Sequence, residues 1–350
     1  MAQIYKDVFI ESVAPAFAAN RVSSSEIENR LEPLYTRLGL PKGRLELMTG
    51  IKERRFANLG SKPSDLSIEA AELAFKNSSI DREKIGCLIH ASVCRDFLEP
   101  ATATVVHQAL GLASHCQVFD LSNACLGFLN GMIQVANMIE LGQIEAGLIV
   151  SGEDGRALVE STIAYLNSNV ELNRQDIKAS FASLTIGSGG VALILSNSKL
   201  APQGHQLLGA VTESATQFNH LCQGGSGPNQ ASTHHVVMNT DSETMLKAGI
   251  DLAAKCFQTA KNQFSLSPNQ IDHFITHQVG IAHSKLLFQK LELDEAKDFL
   301  SFPHFGNMGS ASIATTLALA AHAGKFKKKD RILMMGIGSG LVSMMLNLKW

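Results

Sequence analysis

No C-x-x-C pair and no zinc-like spacing with histidine joins the six cysteines, Cys87, Cys94, Cys116, Cys125, Cys222 and Cys256. The absence sets aside a metal site and fits free thiols in a reducing compartment, so the chain is expected in the cytoplasm. His234 and His235 are adjacent, but no third ligand stands at metal-site spacing. Long apolar runs are missing too. The longest candidate, around Ile313 to Ala321, is cut by Thr315 and Thr316 and closed by His322, well short of the ~20 residues of a membrane span. The first ten residues carry Lys6 and no long apolar core, so they read as a first strand and not as a secretion signal. Nor is there an excess of charge: 30 Lys and Arg against 32 Asp and Glu leave a net charge of −2, which sets nucleic acid aside as a partner. The one cationic cluster, Lys325, Lys327, Lys328, Lys329 and Arg331, precedes an apolar run and reads as a solvated turn.

What is present suits a large folded body. Hydrophobic residues make up 45% and charged residues 18% of the 350 residues, a balance for a substantial core and against disorder. The chain also repeats itself. Ala70-Ala71-Glu72-Leu73-Ala74 leads through Ser79-Ile80-Asp81 to an apolar strand from Ile85 to His90. Ala253-Ala254-Lys255-Cys256 leads through Ser265 to Pro268 and a similar strand from Ile271 to His277. A second echo follows. Phe119 to Leu121 enters the turn Ser122-Asn123-Ala124-Cys125, a helix to Gly142 and a strand from Ala146 to Val150. Phe302 to His304, read as the matching strand, enters Gly306-Asn307-Met308-Gly309, a helix to Gly324 and a strand from Ile332 to Met335. Helices closed by glycine and followed by continuous apolar strands predict sheets buried on both faces, in α/β layers. Two related α/β halves are expected, residues 1–200 and 201–350, with the polar stretch from Ser196 to Asp241 as an irregular joint.

Chemistry-bearing side chains fall at equivalent places in the two halves. Cys125 stands just past a strand at the mouth of a helix, between Ala124 and Gly127, where the positive end of the helix dipole is expected to lower the thiol pKa and favour nucleophilic attack. His277 ends a strand, and Asn307 lies in a glycine-bounded turn at a helix start that mirrors Cys125. An imidazole and a neutral amide can both donate hydrogen bonds to oxygen that gains negative charge. Taken singly, each has a plain reading as core thiol, strand-end histidine or turn residue. The glycine clusters Gly187-Ser188-Gly189-Gly190 and Gly336-Ile337-Gly338 lack the lysine and spacing of a phosphate loop, so close backbone packing accounts for them.

Together, Asn123-Ala124-Cys125-Leu126-Gly127-Phe128, His277-Gln278, Gly306-Asn307 through Ser312 and Gly336-Ile337-Gly338-Ser339-Gly340 resemble β-ketoacyl synthase III and its relatives in the thiolase superfamily. The resemblance is in order along nearly the whole chain. It implies a five-layered α/β/α/β/α sandwich, acyl transfer to Cys125, an oxyanion hole from the backbone amides of Cys125 and Ser339, and a homodimer. Thr49-Gly50-Ile51 through Arg55 resembles the family's segment at the mouth of the pantetheine tunnel. The chain departs from starter synthases there, with Leu47 and Met48 and no tryptophan to stack on adenine. The nucleotide of CoA is then left to Arg54, Arg55 or Arg156, or else an acyl carrier protein supplies the phosphopantetheine. No bound cofactor is implied; CoA thioesters enter as substrates.

Ser92-Val93-Cys94-Arg95-Asp96-Phe97-Leu98-Glu99-Pro100 resembles the OleA-type enzymes within the superfamily, which join two fatty acyl-CoAs for olefin synthesis and hand the product to downstream pathway enzymes. The resemblance implies that Glu99 reaches the partner subunit's site as a base. An acyl-CoA loses no carbon dioxide when it becomes a carbanion, so a base must take its α-proton. The rival readings are decarboxylative condensation with malonyl thioester, simple thioester hydrolysis, and a catalytically silent binding subunit.

Overall fold

The computed structural model describes residues 2–174, 176–225 and 237–350. Ten strands share one hydrogen-bonded sheet: β1 (Ala2–Ile4), β2 (Phe9–Phe17), β3 (Ile85–Ala91), β4 (Gln117–Leu121), β5 (Ala146–Glu153), β6 (Gly189–Ser196), β7 (His205–Ser214), β8 (His273–Thr276), β9 (Arg331–Gly338) and β10 (Val342–Lys349). Their order is β8-β9-β10-β7-β2-β6-β5-β3-β4, with β1 on the edge of β7. The path divides at β2 and β7, which share only the pairs Phe9 with Gln206 and Ile10 with His205. On one side run β2, β6, β5, β3 and β4; on the other run β7, β10, β9 and β8 in the corresponding order. The directions correspond as well. β3 is parallel to β4 and β5, and β6 is antiparallel to β5 and β2. β8 is parallel to β9, and β10 is antiparallel to β9 and β7.

Two of the strand assignments made from sequence change. The stretch expected as an irregular joint contains β7, because the apolar run Leu207 to Val211 is taken up between β1 and β10. His234 and His235, in the same stretch, lie outside the described residues. Phe302 to His304 is not a strand: Phe302–Phe305 is a helical turn whose second residue is Pro303, and the proline ring lacks the N–H a sheet ladder needs. Only a single parallel bridge from Phe274 to Asp298 stands where β4 has its counterpart.

Six helices fill the layers: α1 (Pro63–Lys76), α2 (Thr102–Leu110), α3 (Gly127–Glu140), α4 (Ser242–Phe264), α5 (Ile281–Leu291) and α6 (Ser312–His322). α3 and α6 form the middle layer. Phe128, Leu129 and Met132 of α3 and Ile313 and Leu317 of α6 bury against strands of both sides. α1 and α2 cover the outer face of the first side through Ala70, Ala74 and Val106, and α4 and α5 cover the second through Phe257 and Leu287. The result is the five-layered α/β/α/β/α sandwich of the thiolase fold. β5 and β6 are buried along their whole length, as expected of strands covered on both faces. The layers approach closely where glycine leaves room: a Cβ on Gly152 would stand 1.9 Å from the Pro63 carbonyl oxygen at the start of α1.

This architecture gathers the ends that matter. β3 leads into the segment carrying Glu99, β4 into the Cys125 turn, β8 into His277 and β9 into Ser339, all at the carboxyl ends of parallel strands.

Candidate active site

Cys125 sits in a tight turn between β4 and α3. Ala124 takes a left-handed φ of 46°, and Leu126 N–H closes the turn on the Asn123 carbonyl at 2.9 Å. The far end of β9 abuts this turn: a Cβ on Gly338 would lie 3.6 Å from the Cys125 nitrogen. The tighter neighbour of that Cβ would be the Leu126 side chain, at 3.1 Å. Ser339 follows at once, so the second amide expected in the oxyanion hole is on the strand end that meets Cys125.

Burial, the carboxylate of Glu153 and the neighbouring Cys222 push the Cys125 thiol up to about 12. This reverses the expectation of a thiol activated by the helix dipole. Loss of hydration outweighs the favourable field of one helix end. At rest Cys125 is a thiol, and its proton must leave as the sulfur attacks.

His277 follows β8, and its N–H donates to the Met335 carbonyl of β9 at 2.9 Å. The side chain is 2% exposed. Neither ring nitrogen has a hydrogen-bond partner among the described residues. Burial, and next the nearby His283 of α5, lower its pKa to about 3, so the ring is neutral and has both an acceptor and a donor to offer. Orphaned buried nitrogens on a neutral imidazole are costly unless something else pairs with them. Acylation of Cys125 is accordingly expected to show no inflection near the ordinary histidine pKa of ~6.5. Rapid-quench measurement of the acyl-enzyme across neutral pH checks this. An inflection there that disappears in His277→Gln would show instead a histidine that titrates.

Asn307 is 9% exposed. Its Oδ1 accepts the Gly309 N–H at 3.0 Å and the Ser312 hydroxyl at 3.4 Å. With the oxygen occupied, the amide is turned to donate through Nδ2. The turn is set by backbone bonds from Asn307 N–H to Thr185 and from Gly187 N–H to Asn307, each 2.9 Å. It is tied to the Cys125 helix by Ser310, whose hydroxyl accepts the Phe128 N–H at 2.8 Å. The His277 backbone bond to β9, the close approach of β9 to the Cys125 turn and the Ser310 hydroxyl thus link these three parts of the chain. The site can offer a thiol nucleophile, a neutral imidazole and a fixed amide donor to a thioester carbonyl.

Glu99 belongs to the segment that leaves β3 at the same end of the sheet as the Cys125 turn. It lies exposed in the segment after β3, beside Phe97 (45% exposed) and Leu98 (93% exposed). Among the described residues its carboxylate has no hydrogen bond or ion pair. The base of that segment is well fixed: Asp96 accepts the N–H and hydroxyl of Ser64 at 2.9 and 2.6 Å.

The three arginines are not equivalent. Arg54 is fully buried and donates to the Ser24 hydroxyl and the Leu184 carbonyl, each at 3.1 Å; burial lowers its pKa to about 10. Its side chain backs the Asn307 turn, 3.2 Å from where Gly187 and Gly306 would carry a Cβ. It has no surface to present to a CoA phosphate. Arg55 and Arg156 are partly exposed; Arg55 lies over Phe17 and Phe305, and Arg156 over Phe56 while bonding the Ala57 carbonyl. Trp350 stacks on His205 with ring centres 3.6 Å apart, at the end of β10. Sequence reasoning passed over Glu153, whose mark was visible: it is the one charged residue of an otherwise uncharged strand, Ala146–Glu153.

Known proteins share both sequence and fold. The description 3-oxoacyl-[acyl-carrier-protein (ACP)] synthase III matches residues 119–215, and its C-terminal counterpart matches 262–350. An acyl-CoA:acyl-CoA alkyltransferase from Shewanella oneidensis is 41% identical over 349 residues, 99% of each chain. One from Xanthomonas campestris pv. campestris is 37% identical over 347 residues, 99% of this chain and 100% of the relative. Cerulenin-bound Xanthomonas campestris OleA superposes with a TM-score of 0.93 at 36% identity, over 99% of this chain and 98% of that one. Structures of OleA substituted at a histidine, a glutamate or a cysteine superpose equally well. Likeness of this extent over the whole length places the chain in the acyl-CoA:acyl-CoA alkyltransferase family, a branch of the 3-oxoacyl-[acyl-carrier-protein] synthase III group with the thiolase fold.

Proposed function

We propose that the chain joins two fatty acyl-CoAs without decarboxylation, in the cytoplasm, as a homodimer. The Cys125 sulfur attacks the first thioester, its proton leaves to a base, and CoA departs as the C–S bond to it breaks. The α-carbon of the second acyl-CoA gives a proton to Glu99 of a second copy. The resulting enolate, its oxygen held by His277 and Asn307, attacks the acyl-Cys125 carbonyl. The bond to Cys125 breaks, the sulfur regains a proton, and a 2-alkyl-3-oxoacyl-CoA is released; water then cleaves it to the 3-oxo acid and CoA. The backbone amides of Cys125 and Ser339 receive the oxyanion of the acyl transfers. Arg55 and Arg156 remain for the CoA nucleotide.

The observation that carries this reading is the buried His277 imidazole, without a hydrogen-bond partner among the described residues, at the end of the strand next to the one that meets the Cys125 turn. The relatives' name, acyl-CoA:acyl-CoA alkyltransferase, supplies the substrate class. Glu99 precedes Cys125 by 26 positions, the same separation as between the substituted glutamate and cysteine of OleA. Exposure of Val93, Phe97 and Leu98 around Glu99, and of Phe119 on the edge strand β4, supports a second copy on this face. Six cysteines, none in a disulfide, suit a reducing compartment.

Incubation with myristoyl-CoA alone, followed by mass spectrometry, is expected to give a product with two acyl chains, with malonyl-CoA making no difference. A product that needs malonyl-CoA and gains two carbons would replace this reading with decarboxylative condensation. Free myristate alone would make the protein a thioesterase.

A further inference from the structure

Glu153 ends β5 at 3% exposure, with no cation among its hydrogen-bond partners in the described residues; burial raises its pKa, and hydrogen bonds from backbone N–H groups and from the Cys94 thiol oppose that rise. Its Oε1 accepts the N–H of Val93 at 2.9 Å and of Ser310 at 3.1 Å, and its Oε2 accepts the N–H of Cys94 at 3.0 Å. Three converging N–H donors are what an ionised carboxylate requires in the interior. The donors come from two different parts of the site. Val93 and Cys94 open the segment that carries Glu99. Ser310 follows the Asn307 turn, and its hydroxyl donates to the Ala91 carbonyl at 2.7 Å while accepting Phe128 N–H, one residue into α3, at 2.8 Å. Gly309, at a φ of +54°, lies against the same carboxylate: a Cβ there would stand 3.1 Å from Oε1. A buried carboxylate is a poor way to end a core strand for stability alone. It is well suited to fixing three backbone segments to one another.

We propose that Glu153 is a positioning residue for the condensation step, setting the segment that carries Glu99 against the Asn307 turn and the Cys125 helix. This rests on the roles given above to Cys125, Asn307 and Glu99. Glu153 has a second effect: burial is the main cause of the raised Cys125 pKa, and the Glu153 charge adds to it. Among the described residues, the groups whose charge acts on Cys125 are Glu153 from β5 and Cys222 from the strand Cys222–Gly225, beside the neutral His277 given to the same site. Cys94 faces Glu153 in turn, and burial followed by the same carboxylate pushes its thiol up.

Glu153→Gln keeps the volume, removes the charge and sets an NH2 among N–H donors that need an acceptor. Condensation of myristoyl-CoA is expected to fall roughly 10- to 100-fold, the scale of a misplaced catalytic group, with much less change in acyl-Cys125 formation measured by intact mass. Alkylation of Cys125 by iodoacetamide, followed on its own peptide at mildly alkaline pH, is expected to become faster, since the thiol loses a negative neighbour. Glu153→Asp, which keeps the charge and shortens the reach, should slow condensation without that acceleration. Ser310→Ala, which cuts the link to Phe128 and Ala91, should weaken condensation selectively and serves if Glu153→Gln does not fold. Condensation within about twofold of wild type in these variants overturns the inference. So does a uniform loss of acylation and condensation that follows a lowered melting temperature with alkylation unchanged. Absence of a two-chain product from the wild type would instead overturn the functional reading.

Discussion

Cys125→Ala forms no acyl-enzyme with myristoyl-CoA and no two-chain product. The expected loss is on the order of 10⁶-fold, the scale seen when a covalent nucleophile is removed from a hydrolase whose other groups remain. Both half-reactions pass through the Cys125 sulfur. Acylation needs it to displace CoA, and condensation needs it as the leaving group when the enolate attacks. The methyl group of alanine fits where the thiol sits and leaves the Ser310 to Phe128 bond and the Gly338 contact intact, so the folded state is retained. Intact-mass spectrometry, which reads one added acyl group on wild type and none on the variant, checks the outcome. An acylated Cys125→Ala protein would move the nucleophile elsewhere, with Cys222 as the first residue to test because it is the neighbour acting on Cys125.

Glu99→Ala separates the two half-reactions. Acylation of Cys125 proceeds, because nothing in it calls for an α-proton to be removed. Condensation falls by about 10²- to 10⁴-fold, the usual contribution of a positioned general base. Acyl-enzyme therefore accumulates, and its slow decay releases myristate in place of the two-chain product. The charge-free loss of one exposed carboxylate, without a hydrogen bond or ion pair among the described residues, leaves stability near wild type. Equal loss of acylation and condensation would deny Glu99 the role of base. Undiminished condensation would leave the α-proton to His277, whose ring nitrogens have no hydrogen-bond partner among the described residues.

Much of the fold was legible because duplication writes the same pattern twice. The echoes from Ala70 to His90 and from Ala253 to His277 became α1 with β3 and α4 with β8, and glycine at positions 142 and 324 marked where α3 and α6 give way to buried strands. The sequence misled where one copy had decayed. Phe302 to His304 matched β4 by position, yet Pro303 makes a ladder unfavourable and leaves a turn. β7 was hidden in a polar stretch because its flanks, from Ser196 to Gly204 and beyond Ser214, dominate the local composition.

Of the candidate site, Cys125, His277 and Asn307 could be picked out since they fall at equivalent strand ends and turns. Their electrostatics could not. The helix start at Cys125 argued for a lowered thiol pKa, whereas burial and then Glu153, 28 positions away in sequence, drive it upward. Arg54 and Arg55 are neighbours in a short strand, Glu53–Phe56, where successive side chains face opposite ways. One therefore enters the core behind Asn307 and the other reaches the surface, a difference that becomes readable only once the strand is paired.

The account rests on a condensing site completed by a second copy of the chain. Co-expression of Cys125→Ala and Glu99→Ala chains under two different tags, with purification of the mixed dimer, tests it most directly. Each variant alone is expected to make no two-chain product, while the mixed dimer regains it, because one of its two sites combines an intact Cys125 with an intact Glu99 from the other subunit. A mixed dimer that forms and yields no more product than either parent would contradict a base supplied across the interface.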